Sequence, residues 1–323
     1  METELGSKVR RDSISVVVLT QGLRDELEQC LFSIVKQDPP FSQVIIVNNS
    51  NIELDLSYLG ELRDNVSVLS IGGNFGTSAR NIGAALAKAK YLLFIDDDIT
   101  LSQTDTVTRV ADVLSRPDAS LAVCFKVRTA KSEEFQPLSW GHPRERLKWQ
   151  DRAFETDCIT EGAFAIDLEV FRKVGGFWPG IFIGQEDTDL FLRLLRFGAR
   201  VEYEPKIECV HLHSLSGRQS LRGFYHYSRS NVLITWRHLP FVEAILFLTK
   251  CYSMLLLQAI RSLSPLAFVY IVTGVIDGTC WIIGGNVARD PIDSEAKSKW
   301  KSIRSCVPSV WKRVWTQLTQ KNL

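Results

Sequence analysis

The 323-residue chain lacks the motifs of several enzyme classes. It contains no GxGxxG or GxxxxGK[ST] loop, which argues against a Rossmann dehydrogenase and a P-loop enzyme, and no GxSxG nucleophile elbow. Its seven cysteines, an odd number, form no CxxC pair and no zinc spacing, which favours reduced thiols in a cytosolic compartment. The N-terminal stretch METELGSKVRRDS has no apolar core, so a secretory signal is not expected.

Positive and negative charges nearly balance over the whole chain but are unevenly distributed along it. The formal net charge is only +1, whereas after residue 286 eight basic residues face three acidic ones. This tail also carries Trp300, Trp311 and Trp315. Basic and aromatic residues together suit an anionic membrane surface better than nucleic acid, and no nucleic-acid partner is expected. An ordinary solvated helix is the alternative.

The first part of the chain, residues 13–126, follows an N-terminal tail of residues 1–12 and alternates between strand and helix patterns. Apolar, β-branched runs predict strands at 14–19, 44–47, 66–70 and 91–95, and helical spacing predicts helices at 23–37 and 79–90. This alternation predicts an α/β fold with a doubly wound, mostly parallel sheet flanked by helices. In such sheets ligands bind beyond the carboxyl ends of the strands.

The remainder divides into residues 127–222, which are more irregular, and residues 223–323. Two apolar segments in the last part, 241–260 and 266–285, approach the length that spans a bilayer but contain charged residues. We therefore expect apolar or amphipathic C-terminal helices that lie in the membrane interface. A core helical pair, a dimer interface and one or two spans are the alternatives.

Three consecutive aspartates, Asp96 to Asp98, follow the apolar run 91–95. Like charges beside a core are unfavourable unless a positive group offsets them. A second acidic cluster at 186–189 and His211, at the end of another apolar strand, predict a divalent-metal site that also takes a diphosphate. A histidine ligand favours Mn²⁺ somewhat over Mg²⁺. A merely solvated acidic loop and a strand-end histidine without a ligand role are the alternatives.

With these motifs placed, residues 14 to about 235 resemble the family-2 glycosyltransferases of the GT-A fold, bacterial inverting enzymes that use sugar nucleotides. The segments that carry the resemblance occur in the family's order: SVVVLTQGLRDELEQCLFSI, QVIIVNNSN, NFGTSARNIGAAL, IDDDI and GAFAIDLEVFRKVGGFWPGIFIGQEDTDLFLRLLRFG. The apolar helices and basic tail that follow resemble rhamnosyltransferase- and galactofuranosyltransferase-like members.

The resemblance implies a donor site and a metal site. IDDDI corresponds to the DxD-type motif, so Asp98, Asp96 and His211 are the expected metal ligands, with His213 as the fallback. The expected nucleotide-sugar-binding residues are Thr20, Asn48, Asn49, Asn74, Arg80, Asn81, Asp96 and Asp97. Asn48 stands where the family usually has Asp, which leaves base preference open, with UDP or dTDP favoured. A structural ion pair is the alternative for Arg80.

The resemblance also implies catalytic and acceptor-side residues. Asp187 corresponds to the family's general base, with Glu186 beside it. For Asp189, and as an alternative for Glu186, we expect helix capping. The expected acceptor-binding residues are Gly162, Trp178 and Arg229, the last as a ligand of a lipid phosphate; for Trp178, core packing is the alternative.

These expectations describe an inverting, metal-dependent enzyme. It would move a sugar from a nucleoside-diphosphate sugar to a hydroxyl of a lipid-linked saccharide, at the cytoplasmic face of the cell membrane, in surface polysaccharide or glycolipid synthesis. Two other classes remain: a metal-dependent nucleotidyltransferase and a non-catalytic scaffold of glycosyltransferase ancestry. The sequence leaves open whether the chain forms a homo-oligomer.

Overall fold

A computed structural model gives the structure of the protein and describes residues 14–22, 25–60, 66–116, 120–129, 140–159, 162–212 and 221–307. Within these ranges the strands are β1 Ile14–Thr20, β2 Gln43–Asn48, β3 Val66–Ser70, β4 Tyr91–Asp96, β5 Ile99–Leu101, β6 Ala122–Thr129, β7 Phe154–Glu155, β8 Ala163–Asp167 and β9 Val201–His211. The α-helices are α1 Asp25–Val35, α2 Arg80–Leu86, α3 Thr106–Leu114, α4 Arg146–Trp149, α5 Leu168–Lys173, α6 Glu186–Arg196, α7 Arg222–His238, α8 Phe241–Arg261, α9 Pro265–Ile283 and α10 Ser294–Ile303. Short 3₁₀ turns occupy Gly76–Ala79 and Arg304–Cys306.

The strands form one sheet in the order β3-β2-β1-β4-β8-β6-β9-β5, and β7 pairs with β9. The first four strands of this order are parallel, as is the pair β6 and β9. Strand β8 runs antiparallel between β4 and β6, and β5 and β7 run antiparallel to β9. The α/β fold is confirmed, with a mixed sheet in place of the mostly parallel one, because the apolar pattern of a buried strand does not encode its direction.

Both faces of the sheet are covered by helices. Along β1, Val17 packs into one core cluster with residues of α5 and α6, whereas Val16 and Val18 pack into the other with residues of α1 and α3. Side chains of a strand alternate between the two faces, so a strand covered on both sides reads as an unbroken apolar run. This explains why the β1 and β4 sequences show no polar alternation.

Helix α2 is shorter than the expected helix at 79–90. It ends at Leu86, and Ala87 has extended backbone. The next backbone N–H groups donate to strand side chains: Lys88 to Gln43 Oε1 at 2.7 Å and Ala89 to Ser15 Oγ at 3.3 Å. Gln43 and Ser15 thus accept from the backbone N–H groups of Lys88 and Ala89. The helix therefore ends at Leu86, although the helix propensity of the Ala-rich sequence alone would let it continue.

The C-terminal helices combine an attached side with an exposed apolar side. Helix α9 packs closely on α7, where a Cβ at Gly274 would lie 2.5 Å from the Tyr225 carbonyl oxygen. Helices α8 and α9 have mean hydropathies of 1.4 and 1.9, with only 6% and 22% of their most apolar windows buried. These low fractions argue against the core-pair alternative. By length and composition either helix could cross a membrane.

The first part of the basic tail returns to the sheet domain. Ile292, Ala296 and Ile303 are buried in the same core cluster as α6. Trp300 Nε1 donates to Asp157 Oδ2 at 2.8 Å, and Arg304 pairs with the same carboxylate. Helix α10 is therefore part of the folded domain. Trp311 and Trp315 lie outside the described residues.

Candidate functional site

Polar side chains meet at the carboxyl edge of the parallel strands. The register places Leu19 opposite Asp96 and Thr20 opposite Asn48, so β1, β2 and β4 end side by side. The aspartate run and the Asn48-Asn49 pair therefore lie at the edge where doubly wound sheets bind ligands. The sequence prediction of this shared location is confirmed.

Each aspartate of the run has its own partner. Asp96 forms an ion pair with Arg80, whose side chain is 9% exposed. Asp97, 5% exposed, accepts a 2.6 Å hydrogen bond from Thr20 Oγ1. Asp98 Oδ2 lies 3.1 Å from His211 Nε2. One cation, one hydroxyl and one imidazole thus contact the three carboxylates, of which Asp97 is buried and Asp96 and Asp98 are partly exposed.

The charges of the three aspartates act on the thiol of Cys30, which lies beneath this edge. Burial, followed by the charges of Asp97, Asp96 and Asp98, raises the pKa of the Cys30 thiol well above its ordinary value. Cys30 is fully buried beneath β4, and its sulfur lies 3.5 Å from the Asp96 carbonyl oxygen. A thiolate is therefore disfavoured at Cys30.

The pair Asp98 and His211 is the part of the site that fits a metal ion. Strand β5 brings them together because Ile99 pairs with His211 in an antiparallel ladder. Within the described ranges no group of three His, Cys, Asp or Glu residues is placed to hold a metal. Two protein ligands nevertheless match a Mn²⁺ or Mg²⁺ ion that completes its shell with diphosphate oxygens and water. His213 lies outside the described residues.

Arg80 and Asn81 are held by Phe177. The Arg80 guanidinium lies 5.6 Å from the centre of the Phe177 ring, in addition to its ion pair with Asp96. The Asn81 amide donates to the Phe177 carbonyl at 2.7 Å and accepts from the Phe177 N–H at 2.8 Å. The structural ion pair considered for Arg80 is present, and both ends of the Asn81 amide are engaged within the protein. A contact of either residue with a nucleotide stays a prediction.

Three asparagines organise the loops above β2. Asn48 Nδ2 donates to the Ile52 carbonyl at 2.6 Å, and both Asn48 and Asn49 are fully buried. Asn49 donates to Asn74 Oδ1 at 3.1 Å and accepts from the Phe75 N–H at 2.8 Å. These amides fix the shape of the loops that follow β2 and β3. Their predicted contact with the nucleotide is not tested by these bonds.

Gly162 lies directly against Asp96. Its carbonyl accepts a 2.7 Å hydrogen bond from the Asp96 N–H, and a Cβ at this position would lie 2.8 Å from Asp96 Oδ2. Its φ of +92° also disfavours any side chain. The residue predicted for the acceptor side thus abuts the acidic motif.

The second acidic cluster begins helix α6. Gln185 has a left-handed φ of +72°, and Glu186 and Asp187 follow as the first two helical residues, both half-buried. Thr188 Oγ1 donates to Gln185 Oε1 at 2.7 Å, which fixes the first turn. Acidic residues are favoured at this end of a helix. The local structure thus explains their placement and presents Asp187 at a helix start.

Asp189 does not cap the helix as expected. It is fully buried and accepts hydrogen bonds from His238 Nε2 at 2.8 Å and from Arg193 Nε at 3.0 Å, while Arg237 lies 3.8 Å away. Burial alone would raise the pKa of Asp189, but the His238 hydrogen bond and the charge of Arg193 bring it below its ordinary value. The sequence analysis missed this cluster, because His238 is 49 residues away and carries no motif.

Trp178 and Arg229 line the boundary between the sheet domain and α9. Arg237 lies 4.2 Å over the Trp178 ring, and Trp281 of α9 is 6.2 Å from it. Arg229 donates to Asp277 Oδ2 at 2.6 Å and to the Gly180 carbonyl at 2.8 Å. Trp178 therefore packs among protein groups. Arg229 already has an anionic partner, so its predicted phosphate contact would require exchange with Asp277.

Comparison with known proteins identifies the family of this chain. The model of Glycosyl transferase family 2 matches residues 15–175, about half of the chain. Rhamnosyltransferase WbbL of Escherichia coli (strain K12) is 26% identical over 221 residues, which cover 61% of this chain and 83% of that protein. The chain belongs to glycosyl transferase family 2. Membership and this relative support sugar transfer as its activity.

Two solved structures share the fold. GalNAc-T7 with UDP, GalNAc and Mn²⁺ has a TM-score of 0.51 at 17% identity over 69% of this chain. Residues 1–349 of S. aureus TarS in complex with UDP have a TM-score of 0.50 at 18% identity over 69% of this chain. This chain spans 48% and 65% of those two chains, respectively. The GT-A architecture expected from the sequence is confirmed.

Proposed function

We propose that this protein is an inverting, metal-dependent glycosyltransferase whose donor is a nucleoside-diphosphate sugar, with UDP or dTDP favoured. The observation that carries the proposal is the pairing of Asp98 with His211, at 3.1 Å, on the edge where β1, β2 and β4 end. The UDP in the two solved neighbours and the Mn²⁺ in one of them support it.

The donor half of the proposed mechanism uses the aspartate edge, the edge of the sheet that carries Asp96 to Asp98. Asp98 and His211 would hold Mn²⁺ or Mg²⁺, with Asp96 close by. When bound, the ion neutralises the charge of the departing nucleoside diphosphate. Asp97, fixed by Thr20, would contact the ribose. Asn48, Asn49, Asn74, Arg80 and Asn81 would shape or contact the nucleotide pocket from the neighbouring loops.

The acceptor half uses the start of α6. Asp187 would take the proton from the acceptor hydroxyl as that oxygen attacks the anomeric carbon and the bond to the diphosphate breaks. Attack from the opposite face inverts the anomeric centre, so no enzyme nucleophile is needed. A general base must lie within hydrogen-bond reach of the proton that it removes. Glu186 stands next to it, and Gly162, Trp178 and Arg229 would border the acceptor.

The proposed place of action is the cytoplasmic face of a membrane, with a lipid-linked saccharide as the acceptor. The support is an apolar face of α8 and α9, formed by large side chains that are at least 40% exposed: Phe241, Val242, Ile245, Leu246, Leu256, Ile260, Leu266, Phe268, Val269, Val272, Ile276 and Ile283. An exposed apolar surface of this kind is typical of membrane or protein contact. Because α9 packs along the polar helix α7, we favour helices that lie in the interface.

The test is release of nucleoside diphosphate from UDP-, dTDP- and GDP-sugars, with Mn²⁺, Mg²⁺ or EDTA and with a lipid-linked acceptor. We expect metal-dependent release from one donor, lost in Asp98→Ala. The matched control is Asp105→Ala, which removes an exposed carboxylate whose ion pair, in the described part of the chain, is with Arg109 four residues further on. Release that persists in EDTA would contradict the metal role, and absence of both release and metal-linked nucleotide binding would favour the non-catalytic scaffold.

A further inference from the structure

The loop of residues 177–184, here called the bridging loop, joins the donor and acceptor halves of the site. On the donor side, the Phe182 carbonyl accepts from the Thr77 N–H at 2.9 Å. Gly76 is required beside it, because a Cβ there would lie 2.0 Å from the same oxygen. At its other end the loop leads through Gln185 into α6 and Asp187. A shift of this loop therefore moves the proposed base relative to the aspartate edge.

Helix α7 holds the outer side of the bridging loop. Arg229 donates to the Gly180 carbonyl at 2.8 Å, and the Phe182 ring stacks on His226 with centroids 4.9 Å apart. Gln185 Nε2 donates to Asn231 Oδ1 at 2.9 Å. Of these contacts, the hydrogen bond from Arg229 to Gly180 is the one made by a charged side chain. A charge-assisted hydrogen bond is about twice as strong as a neutral one.

Asp277 of α9 sets the position of Arg229. Its Oδ2 accepts from Arg229 Nε at 2.6 Å and from the Tyr225 hydroxyl at 2.8 Å. The Arg229 guanidinium also lies 4.6 Å over the ring of Trp281, one turn further along α9. Asp277 and Trp281 of α9 thus hold the Arg229 guanidinium on two sides, and its Nη1 atom donates to Gly180 of the bridging loop. An acidic residue within this apolar helix is otherwise unexplained.

We propose that Asp277 is a positioning residue for the transfer reaction. Acting through Arg229, it ties the bridging loop, and with it Asp187, to the helix pair α8 and α9. The site is then complete only when α9 lies against α7 as it does here. The proposal rests on the proposed function, in which Asp187 is the base.

The first arm of the test is hydrogen–deuterium exchange on the full chain, comparing wild type with Asp277→Asn. Asparagine keeps an acceptor for Tyr225 and removes the charge that faces Arg229. We expect amides 177–185 to exchange at least about tenfold faster, since weakly held loops open at low free energy. Asp290→Asn is the matched control, because it removes another ion pair to the C-terminal part, that with Arg196. Equal exchange in wild type and Asp277→Asn would overturn the proposal.

The second arm is steady-state kinetics. Displacing a catalytic group without removing it lowers kcat by about tenfold to a hundredfold. We expect this loss in Asp277→Asn, with the donor KM unchanged and partial recovery in Asp277→Glu. Unchanged kcat despite faster loop exchange would refute a role in positioning. Asp187→Asn is measured in parallel: full turnover by that variant would remove the base assignment, and the exchange arm would still report on the loop.

Discussion

Asp189 offers a direct test of the cluster that joins α6 to α7. The substitution Asp189→Asn keeps the volume of the side chain and one acceptor for His238. It removes the charge that faces Arg193, whose side chain is 9% exposed, and it places an amide donor near the guanidinium. Arg193 also donates to the Val174 carbonyl at 2.5 Å, so it cannot leave for solvent without losing that contact.

The expected cost follows from burial. Removing one partner of a buried ion pair leaves an uncompensated charge and destabilises a protein by about 3–5 kcal/mol. Because Asp189 is fully buried, its interactions are not screened by solvent, and we expect a value in this range. Exposed pairs contribute only about 0–1 kcal/mol. The pair of Asp290 with Arg196, with the aspartate side chain 59% exposed, is the internal comparison.

The assay is urea unfolding followed by tryptophan fluorescence and circular dichroism. If the free energy of unfolding falls by about 3 kcal/mol for each 1 M of urea, the expected loss of stability lowers the midpoint urea concentration by about 1 M or more. Asp290→Asn should move it by less than about 0.3 M on the same basis. Equal, small shifts in both variants would refute the argument that Asp189 compensates a buried charge.

The other predictions concern acid stability, catalysis and membrane contact. Burial lowers the pKa of His142 to about 3. As the pH is lowered from about 6.5 towards 3, His142 takes up a proton in the unfolded chain but not in the folded one, so the free energy of unfolding falls by about 1.4 kcal/mol for each pH unit. In His142→Gln this part of the pH dependence should disappear from urea titrations; an unchanged slope would show that His142 is not its source. Asp187→Asn should nearly abolish transfer while metal-linked nucleotide binding, measured by calorimetry, persists; loss of binding would point to a structural role. Truncation after Val307 removes Trp311 and Trp315 but keeps α10, and it should weaken flotation with anionic vesicles more at low salt than at high salt; unchanged flotation would remove the tail from membrane contact.

The truncation point illustrates what the tertiary structure adds to a sequence argument. The basic tail begins after residue 286 in the sequence, yet Ile292, Ala296 and Ile303 belong to the core of the sheet domain. A truncation that removes α10 would leave a gap in this core. Weaker vesicle binding by that variant could then result from unfolding as well as from the loss of a membrane contact. The composition of the tail indicated charge, but only packing distinguishes its docked part from the residues beyond.

The location of the site was predictable, whereas its pairings were not. An apolar run followed by Asp96 to Asp98 identifies the end of a buried strand, and parallel strands end at one edge. Which aspartate meets Arg80 and which meets His211 depends on residues 16 and 113 positions apart. Periodic patterns relate positions a few residues apart, so they do not identify partners at such separations in the sequence.

The sequence by itself determined strands β1 to β4, helices α1 and α2 in outline, the acidic edge and the apolar C-terminal segments. These follow from local regularities, because side-chain periods of 2 and 3.6 residues decide which positions a strand or a helix buries. Only the tertiary structure decided that β8 runs antiparallel to β4, that Asp189 is a buried ion-pair partner and not a cap, and that Asp277 holds Arg229. Such contacts join residues far apart in the chain, and their energies depend on burial that exists only after the chain has folded.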